Sequence, residues 1–433
     1  MGLGILAYIH SQLPIIFYIL CIIAFVATLA GRRQIGYYYF LFLLPFAYTV
    51  QKIHQYPLGT QVLNALLASL VIATFIYHTK KVRSVNSTPI LLHVAVVLIS
   101  FLYGFVNEGP FMTEEFGHFF RISLVKTYLY MPIMYWVTLA FLQEKEGERR
   151  RKTIVYFILF VVVLVDWRFW NSAHWRSHAH FNYGVRDVAF GSLGANHLSA
   201  FVVEYTAVAI SLFLHYRNNK AKAFFFIVIA AAVYPIFYTY SRAGYVAIVM
   251  VLLWNGLFKK KVFFIALVGL VLAGGAVMHY LPQSVIERVT MTKTETGEIE
   301  SSAESRIIIW EQGKELFLGS PIYGIGYQMV PTYINVHGLR NMHNYLFQML
   351  VETGIIGFSI FIYLLYSAFR SGWRLFVQST GSFDKGLGLG FCGCVLASVI
   401  CNFFGDRWSF IEMQSYWWVL WAVCDSRIGR GNL

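Results

Sequence analysis

Charged residues are scarce in this chain, and their scarcity excludes a water-soluble globule. Asp, Glu, Lys and Arg make up 13% of the 433 residues, whereas hydrophobic residues make up 58%. Soluble domains carry about a quarter charged residues. Apolar runs of roughly 17–25 residues, long enough to cross a bilayer, recur along the whole chain. The sequence therefore predicts an all-α polytopic membrane protein.

Cysteines and paired aspartates are scarce as well. The five cysteines lie mainly in apolar runs, which predicts small buried hydrophobes and no disulfide framework. No close pair of aspartates is present to hold a divalent cation beside a nucleotide-sugar diphosphate. His174, His178 and His180 have a spacing typical of metal ligands, but no carboxylate or cysteine lies among them. We therefore expect chemistry that uses neither a metal ion nor another cofactor.

Basic residues are plentiful, and their distribution explains the net charge of +13. Lys and Arg concentrate in every second loop between the apolar runs, as they do in loops that stay in the cytoplasm. This topology signal, with contacts to anionic membrane lipids, accounts for the charge without nucleic acid. The alternate loops and the N-terminus are then external. In a bacterial cell they would face the periplasm from the inner membrane.

The candidate spans divide the chain into three parts. We predict about 11–13 transmembrane helices, because several of the apolar runs are short or interrupted. Residues 1–280 form an N-terminal bundle, and residues 350–433 form C-terminal transmembrane helices. Between them, residues 281–349 form one large periplasmic loop with short helices. This loop is the longest polar excursion of the chain, so it is predicted to carry the catalytic residues.

Two arginines near the external membrane surface are candidates for binding an anion. Arg242 lies in a tight turn between two apolar runs, on the face where positive charge is disfavoured. Arg306 lies near the start of a helical stretch, where an anion would meet its guanidinium and free backbone N–H groups. The alternatives are a snorkelling interface anchor for Arg242 and a solvated surface residue for Arg306. Arg186, in the preceding external loop, is a weaker third candidate.

His343 is the candidate general base of the loop. It stands next to Asn344 at the start of an apolar helix, where its imidazole would lie near the membrane surface. The alternative is a structural histidine. External aromatic residues such as Tyr327 would stack on sugar rings or simply pack at the membrane interface, and the sequence leaves both interpretations open.

The combination of arginines, a base and a membrane surface indicates a class of chemistry. A lipid diphosphate carries its charge at the depth of these residues. The planar fork of arginine suits diphosphate oxygens and would stabilise the charge that develops on a leaving diphosphate. A histidine would take the proton from an attacking hydroxyl. These features favour glycosyl transfer from a lipid-diphosphate-linked sugar.

The sequence resembles the bacterial O-antigen ligase/polymerase superfamily over roughly residues 186–370. Five short motifs carry the resemblance, in the order of the family. They are Gly191–Ala200, which contains Asn196; Ser241-Arg242-Ala243-Gly244; Ser305-Arg306 with Trp310; Gly319-Ser320-Pro321 with Gly324-Ile325-Gly326; and His343-Asn344 with Glu352-Thr353-Gly354.

The resemblance implies a metal-independent inner-membrane transferase that takes a glycan from undecaprenyl diphosphate. It assigns the diphosphate to Arg242 and Arg306 and the acceptor to His343. Further substrate contacts are expected from Arg186, Asn196, Asn344 and Tyr327. The acceptor is the lipid A–core sugar for a ligase, which we expect here, or another lipid-linked glycan for a polymerase. The predicted external N-terminus departs from the ligases, whose termini usually both lie inside.

A transporter or a flippase for lipid-linked glycans is the alternative from a different class. It would explain the many spans and a few basic residues, because such proteins also need cationic cavities. It predicts charges deep within spans and inverted repeats with broken helices. Lys126 is the clearest charge in the middle of a span, and no repeat is visible. The sequence therefore favours the transferase.

Overall fold

The computed structural model gives a helical membrane protein. It describes residues 2–46, 51–78, 82, 84–107, 109–113, 116–143, 146–181, 184, 194–261, 282–291 and 301–428. Within these residues there are fifteen α-helices and no β-strand, which confirms the predicted all-α polytopic class.

The helices are numbered in chain order. They are α1 Gly2–Leu29, α2 Arg33–Leu43, α3 Val62–Tyr77, α4 Ser87–Tyr103, α5 His118–Leu142, α6 Gly147–Ala173, α7 Ala195–His215, α8 Asn219–Tyr238, α9 Arg242–Phe258, α10 Gln283–Thr290, α11 Ser301–Gly319, α12 Val330–Tyr333, α13 Tyr345–Gln378, α14 Ser382–Phe403 and α15 Ile411–Ile428.

Six of the described helices are long and apolar enough to cross a membrane. They are Gly59–Tyr77, Gly147–Ala173, Ala195–His215, Asn219–Tyr238, Tyr345–Gln378 and Ser382–Phe403. Three shorter apolar helices cover Leu13–Leu29, Ser87–Tyr103 and Arg242–Phe258. Judged by length and composition, the described residues thus contain fewer candidate spans than the 11–13 predicted for the whole chain. The predicted division at residues 280 and 349 stays a prediction.

The core of the bundle lies where α7, α14 and α15 meet. Most side chains of these three helices are buried. Trp417, Trp418 and Trp421 of α15 are fully buried, and Trp417 packs edge-on against the other two rings. Burying large aromatic rings is strongly favourable, so this core fixes the helix ends from which the polar segments emerge.

The polar segment before α13 is fastened to that helix at a break. Gly354 has a φ of +63° inside α13, and a Cβ there would lie 2.2 Å from the carbonyl oxygen of Ile322. Backbone groups on the two sides of the break exchange hydrogen bonds with the turn. Gly326 N donates to Glu352 O at 2.9 Å, and Ile355 N donates to Pro321 O at 2.9 Å. Only glycine fits this close backbone approach, so Gly354 holds the loop against the bundle.

Candidate functional site

The first side of the site is the start of α9. The Ser241 hydroxyl accepts a hydrogen bond from Gly244 N at 3.4 Å and caps the helix. A Cβ on Gly244 would lie 1.9 Å from the Ser199 hydroxyl, so glycine lets α9 approach α7 closely. Arg242 is the first residue of α9, and this packing holds its backbone close to α7.

Arg242 is tied to α10, which carries a second arginine. Its Nε donates to the carbonyl oxygen of Arg288 at 3.3 Å, and its Nη2 donates to Met291 O. Arg288 is buried, with 6% of its surface exposed, and its Nε donates to Tyr240 O at 3.4 Å. Its guanidinium also lies 5.1 Å from the ring centre of Phe181. The two arginines therefore form one supported unit.

The second side of the site is formed by α11 and the segment that ends in His343. Trp310, one turn after Arg306, donates from its indole Nε1 to Met342 O at 2.8 Å. A Cβ on Gly313 would lie 2.3 Å from the Met342 methyl, which shows how closely the segment packs on α11. These contacts bring His343 to the same side of α11 as Arg306.

His343 has an unusual backbone conformation. Its φ is +49°, in the left-handed region that non-glycine residues rarely occupy. Its backbone N–H donates to Asn341 Oδ1 at 3.1 Å, which supports the turn. Such backbone strain is concentrated at functional sites.

The pKa of His343 is lowered to about 4. Burial is the largest cause, and the positive charges of Arg306 and Arg407 add to it. The imidazole is therefore neutral at physiological pH, which is the protonation state that a general base needs.

The third side of the site is the loop between α14 and α15, which holds Arg407. This arginine is almost fully buried, with 2% of its surface exposed. Its Nε donates to Asn196 O at 3.1 Å, and its backbone N donates to Asn402 Oδ1 at 3.0 Å. Tyr345 N donates to Gly405 O at 3.0 Å and joins this loop to the start of α13. Arg407 thus reaches the site from a distant part of the chain.

These three sides enclose a cavity of about 300 Å³. Its polar lining comes from Asn196, Arg242, Arg288, Arg306 and Arg407. Its apolar lining comes from Ala243, Val246 and Phe404. Four arginines around so small a space produce a strongly positive potential, which suits a multiply charged anion with an apolar tail.

A second cavity of about 500 Å³ lies further along α11. Tyr103, Asn107, Gln312, Glu315 and Tyr333 are among its lining residues. None of the lining residues that the structure describes there is basic. This cavity is larger, but it offers no cation to a diphosphate, so the arginine-lined cavity is the candidate site.

The sequence-predicted residues separate into those that the structure brings together and those that it does not. Arg242, Arg306 and Asn196 line one cavity, and His343 stands beside it. Asn344 caps α13 through a 3.0 Å hydrogen bond from Phe347 N to its Oδ1, and it is not among the lining residues.

Tyr327 and Arg186 are the other two predicted contacts. Tyr327 is fully buried, with its hydroxyl 3.3 Å from that of Tyr345 and its carbonyl bound by Arg121. It packs in the core and does not line the cavity, contrary to an exposed sugar-stacking position. Arg186 lies outside the described residues.

The histidines of the preceding loop bind separate protein partners. His174 Nδ1 lies 2.7 Å from Trp170 O, and His178 Nε2 lies 2.7 Å from the Tyr234 hydroxyl. His180 Nδ1 lies 2.8 Å from a carboxylate oxygen of Glu287, the neighbour of Arg288. The three rings therefore bind different parts of the protein: His174 contacts α6, His178 contacts α8 and His180 contacts α10.

The sequence did not predict a role for Arg288, Asp406 or Arg407. Burial raises the pKa of Asp406 to about 6, against the opposing effect of Arg407. One signal could have found Arg407, because it lies in a short loop predicted to be external, where positive charge is disfavoured. The same argument singled out Arg242. Arg288 had no such signal, since it lies within a long polar loop.

The fold and the cavity define a polytopic membrane protein with an arginine-lined site beside a neutral histidine. Residues 226–362 match the family model described as O-antigen ligase. This match covers less than half of the chain, and it supports a resemblance to the O-antigen ligase/polymerase superfamily over that range. The matched range contains Arg242, Arg288, Arg306 and His343, whereas Arg407 lies beyond it. No curated protein matches the chain closely enough to count as a relative.

Proposed function

We propose that this protein transfers a glycan from undecaprenyl diphosphate to a sugar hydroxyl on the periplasmic face of the bacterial inner membrane. Lipid A–core is the acceptor that we propose, which makes the protein an O-antigen ligase. The observation that carries the proposal is the meeting of Arg242 and Arg306 in one cavity beside His343.

The cavity suits the donor in both charge and shape. Guanidinium groups make paired hydrogen bonds to phosphate oxygens, and they do so most strongly where water is excluded. The apolar Val246 lies one turn after Arg242 on α9, where the lipid chain would leave the cavity toward the membrane. Asn196 would contact the donor from α7. The proposed site requires no metal ion, because arginines supply the positive charge.

The transfer proceeds by attack of an acceptor hydroxyl on the anomeric carbon. His343 is neutral and takes the hydroxyl proton as the new C–O bond forms. The bond between the anomeric carbon and the phosphate oxygen breaks, and its electron pair stays on that oxygen. The arginines stabilise this developing charge. Inversion at the anomeric carbon is the outcome expected from the resemblance to ligases.

A gel of surface polysaccharide tests the proposal. The strain lacks this gene and carries either the wild-type protein or His343→Ala. A ligase is indicated if long glycan accumulates on its lipid carrier and never reaches lipid A–core in the variant strain. If lipid A–core carries a single repeat and the ladder disappears, the protein is a polymerase that uses the same donor. An unchanged ladder would contradict both assignments and would favour another secreted polysaccharide as the substrate, or a transporter.

A further inference from the structure

Arg407 is the most buried of the arginines that line the cavity, and the nearby carboxylates of Glu204 and Asp406 do not bind its Nη1. Its Nη1 is buried and has no hydrogen-bond partner among the described residues. In contrast, the terminal nitrogens of the equally buried Arg121 bind the carbonyl oxygens of Gly104, Phe101 and Tyr327. A buried guanidinium without such acceptors is costly. The arrangement at Arg407 therefore points to an anion that enters the cavity.

The four arginines form two pairs. Arg242 and Arg288 are bound to each other through the 3.3 Å hydrogen bond, at the junction of α9 and α10. Arg306 and Arg407 flank His343 from α11 and from the α14–α15 loop. Both act electrostatically on the His343 imidazole. One pair is therefore next to the base and the other is next to α9.

The apolar lining residues indicate how a lipid donor would be oriented in the cavity. Val246 is 49% exposed, lines the cavity and lies one turn after Arg242 toward the membrane-embedded part of α9. A lipid chain that leaves along Val246 places its first phosphate at Arg242 and Arg288. The second phosphate then lies at the pair beside His343, where the sugar must be for a proton to reach the base.

This inference rests on the proposed function. We propose that Arg407 is a substrate-binding residue that holds the sugar-bearing phosphate of the donor, while Arg242 and Arg288 hold the lipid-bearing phosphate. During transfer the electron pair of the broken C–O bond stays on the sugar-bearing phosphate, and the acceptor proton goes to His343. Arg407 thus binds the phosphate on which the charge develops.

Binding of two short lipid analogues tests this polarity. The full-length protein in detergent micelles is titrated with farnesyl diphosphate and with farnesyl monophosphate. Arg407→Gln should weaken the diphosphate about 10-fold or more and leave the monophosphate within about 2-fold, because the monophosphate occupies the lipid-side pair. Arg288→Gln should weaken both ligands. Arg340→Gln is the control, since Arg340 also lies outside the helices but binds the carbonyl oxygens of Phe111 and Pro331 and does not line the cavity.

Equal weakening of both ligands in Arg407→Gln, or no weakening, would overturn the assignment. Failure of the wild-type protein to bind farnesyl diphosphate would do the same. Gel filtration checks that the variant is folded. If it is not, Arg407→Lys replaces it, and a selective but smaller loss of diphosphate affinity supports the proposal, whereas unchanged selectivity overturns it.

The experiments distinguish a failure of the proposed function from a failure of this inference. If Arg407→Gln selectively weakens diphosphate binding but loss of the gene leaves the surface glycan unchanged, the transferase function is refuted. The assignment of Arg407 to the second phosphate is then kept. Glycan transfer by a protein that binds both ligands independently of Arg407 refutes only the assignment.

Discussion

A buried arginine lies near each end of α14, and the two arginines have different bonding partners. Near the start of α14, Arg151 is 1% exposed and makes ion pairs with Asp384 at 2.6 Å and Glu148 at 2.8 Å. Beyond the end of α14, Arg407 is 2% exposed and has no ion pair among the described residues. The 22 residues of α14 separate these positions by about 33 Å.

This difference separates a structural arginine from the arginine that we propose binds the donor. The protein itself supplies the carboxylates that neutralise Arg151, so that end of the bundle is complete without a ligand. At the other end, four arginines share a cavity with no carboxylate among its lining residues. Burial alone therefore does not reveal function, whereas burial with an incomplete set of acceptors indicates a binding site.

The largest expected effect is at His343, the proposed base beside the arginine-lined cavity. His343→Ala should lower turnover by about 10²- to 10⁴-fold, the usual contribution of general-base catalysis. Farnesyl diphosphate binding should stay within about 2-fold, since all four arginines remain. Glycan transfer in membranes measures the first quantity, and ligand titration measures the second. Unchanged turnover would remove His343 from the base role.

The next largest effect is expected near the start of α14, where Arg151 forms ion pairs with carboxylates. Asp384→Asn should lower the free energy of unfolding by about 3–5 kcal/mol, because it leaves Arg151 without its closer partner. Unfolding in a denaturant series measures this loss. Farnesyl diphosphate binding in the folded variant should equal that of the wild-type protein. A folded variant with weakened binding would show that the two ends are not independent.

A smaller effect is expected from a change that preserves charge. Arg242→Lys should weaken farnesyl diphosphate binding and transfer by about 10-fold, because lysine cannot make the paired contact of a guanidinium. Titration and the transfer assay measure the two quantities. Full activity in Arg242→Lys would exclude the diphosphate role. The same exchange at Arg340 is the control and should have no effect on either.

The smallest effect is a shift in pH dependence. His343 must be neutral to act as a base, so kcat/KM is retained above its pKa and lost as the pH falls below it. That limb should lie near pH 4 in the wild-type protein. Arg306→Gln removes one nearby positive charge, so the pKa rises and the limb moves to higher pH. Because burial still lowers the pKa, the limb should stay below 6.5. A limb that does not move would contradict the proximity of Arg306.

Much of the fold and part of the site could be predicted from the sequence. Long apolar runs require helices in a bilayer, so the all-α class followed directly. The described residues contain six helices long and apolar enough to cross a membrane and three shorter apolar ones, so the count of 11–13 stays a prediction for the whole chain. Arg242, Arg306 and His343 were found because charge and a base at an external boundary are unusual. The structure brings these residues together, and their roles are proposals.

The rest of the site depends on contacts between distant residues. Arg407 meets Asn196 across 211 positions of the chain, and no local pattern encodes that contact. Tyr327 lies in the polar loop and was a predicted substrate contact, with simple packing as the alternative. That loop folds inward, however, and its Tyr327 N donates to Ser100 O at 3.2 Å on α4. Local composition therefore indicated that this segment is a polar loop, but it did not indicate which of its side chains are buried.

The crowding of positive charge in the cavity also affects how the protein behaves on the bench. Four arginines close together repel one another, so the empty protein should be less stable than the occupied one. A bound anion stabilises the folded state in proportion to the logarithm of its concentration over its Kd. Preparations should therefore retain cellular polyprenyl phosphates through purification. Phosphate or pyrophosphate buffers should protect a stripped protein against heat and compete with added lipid.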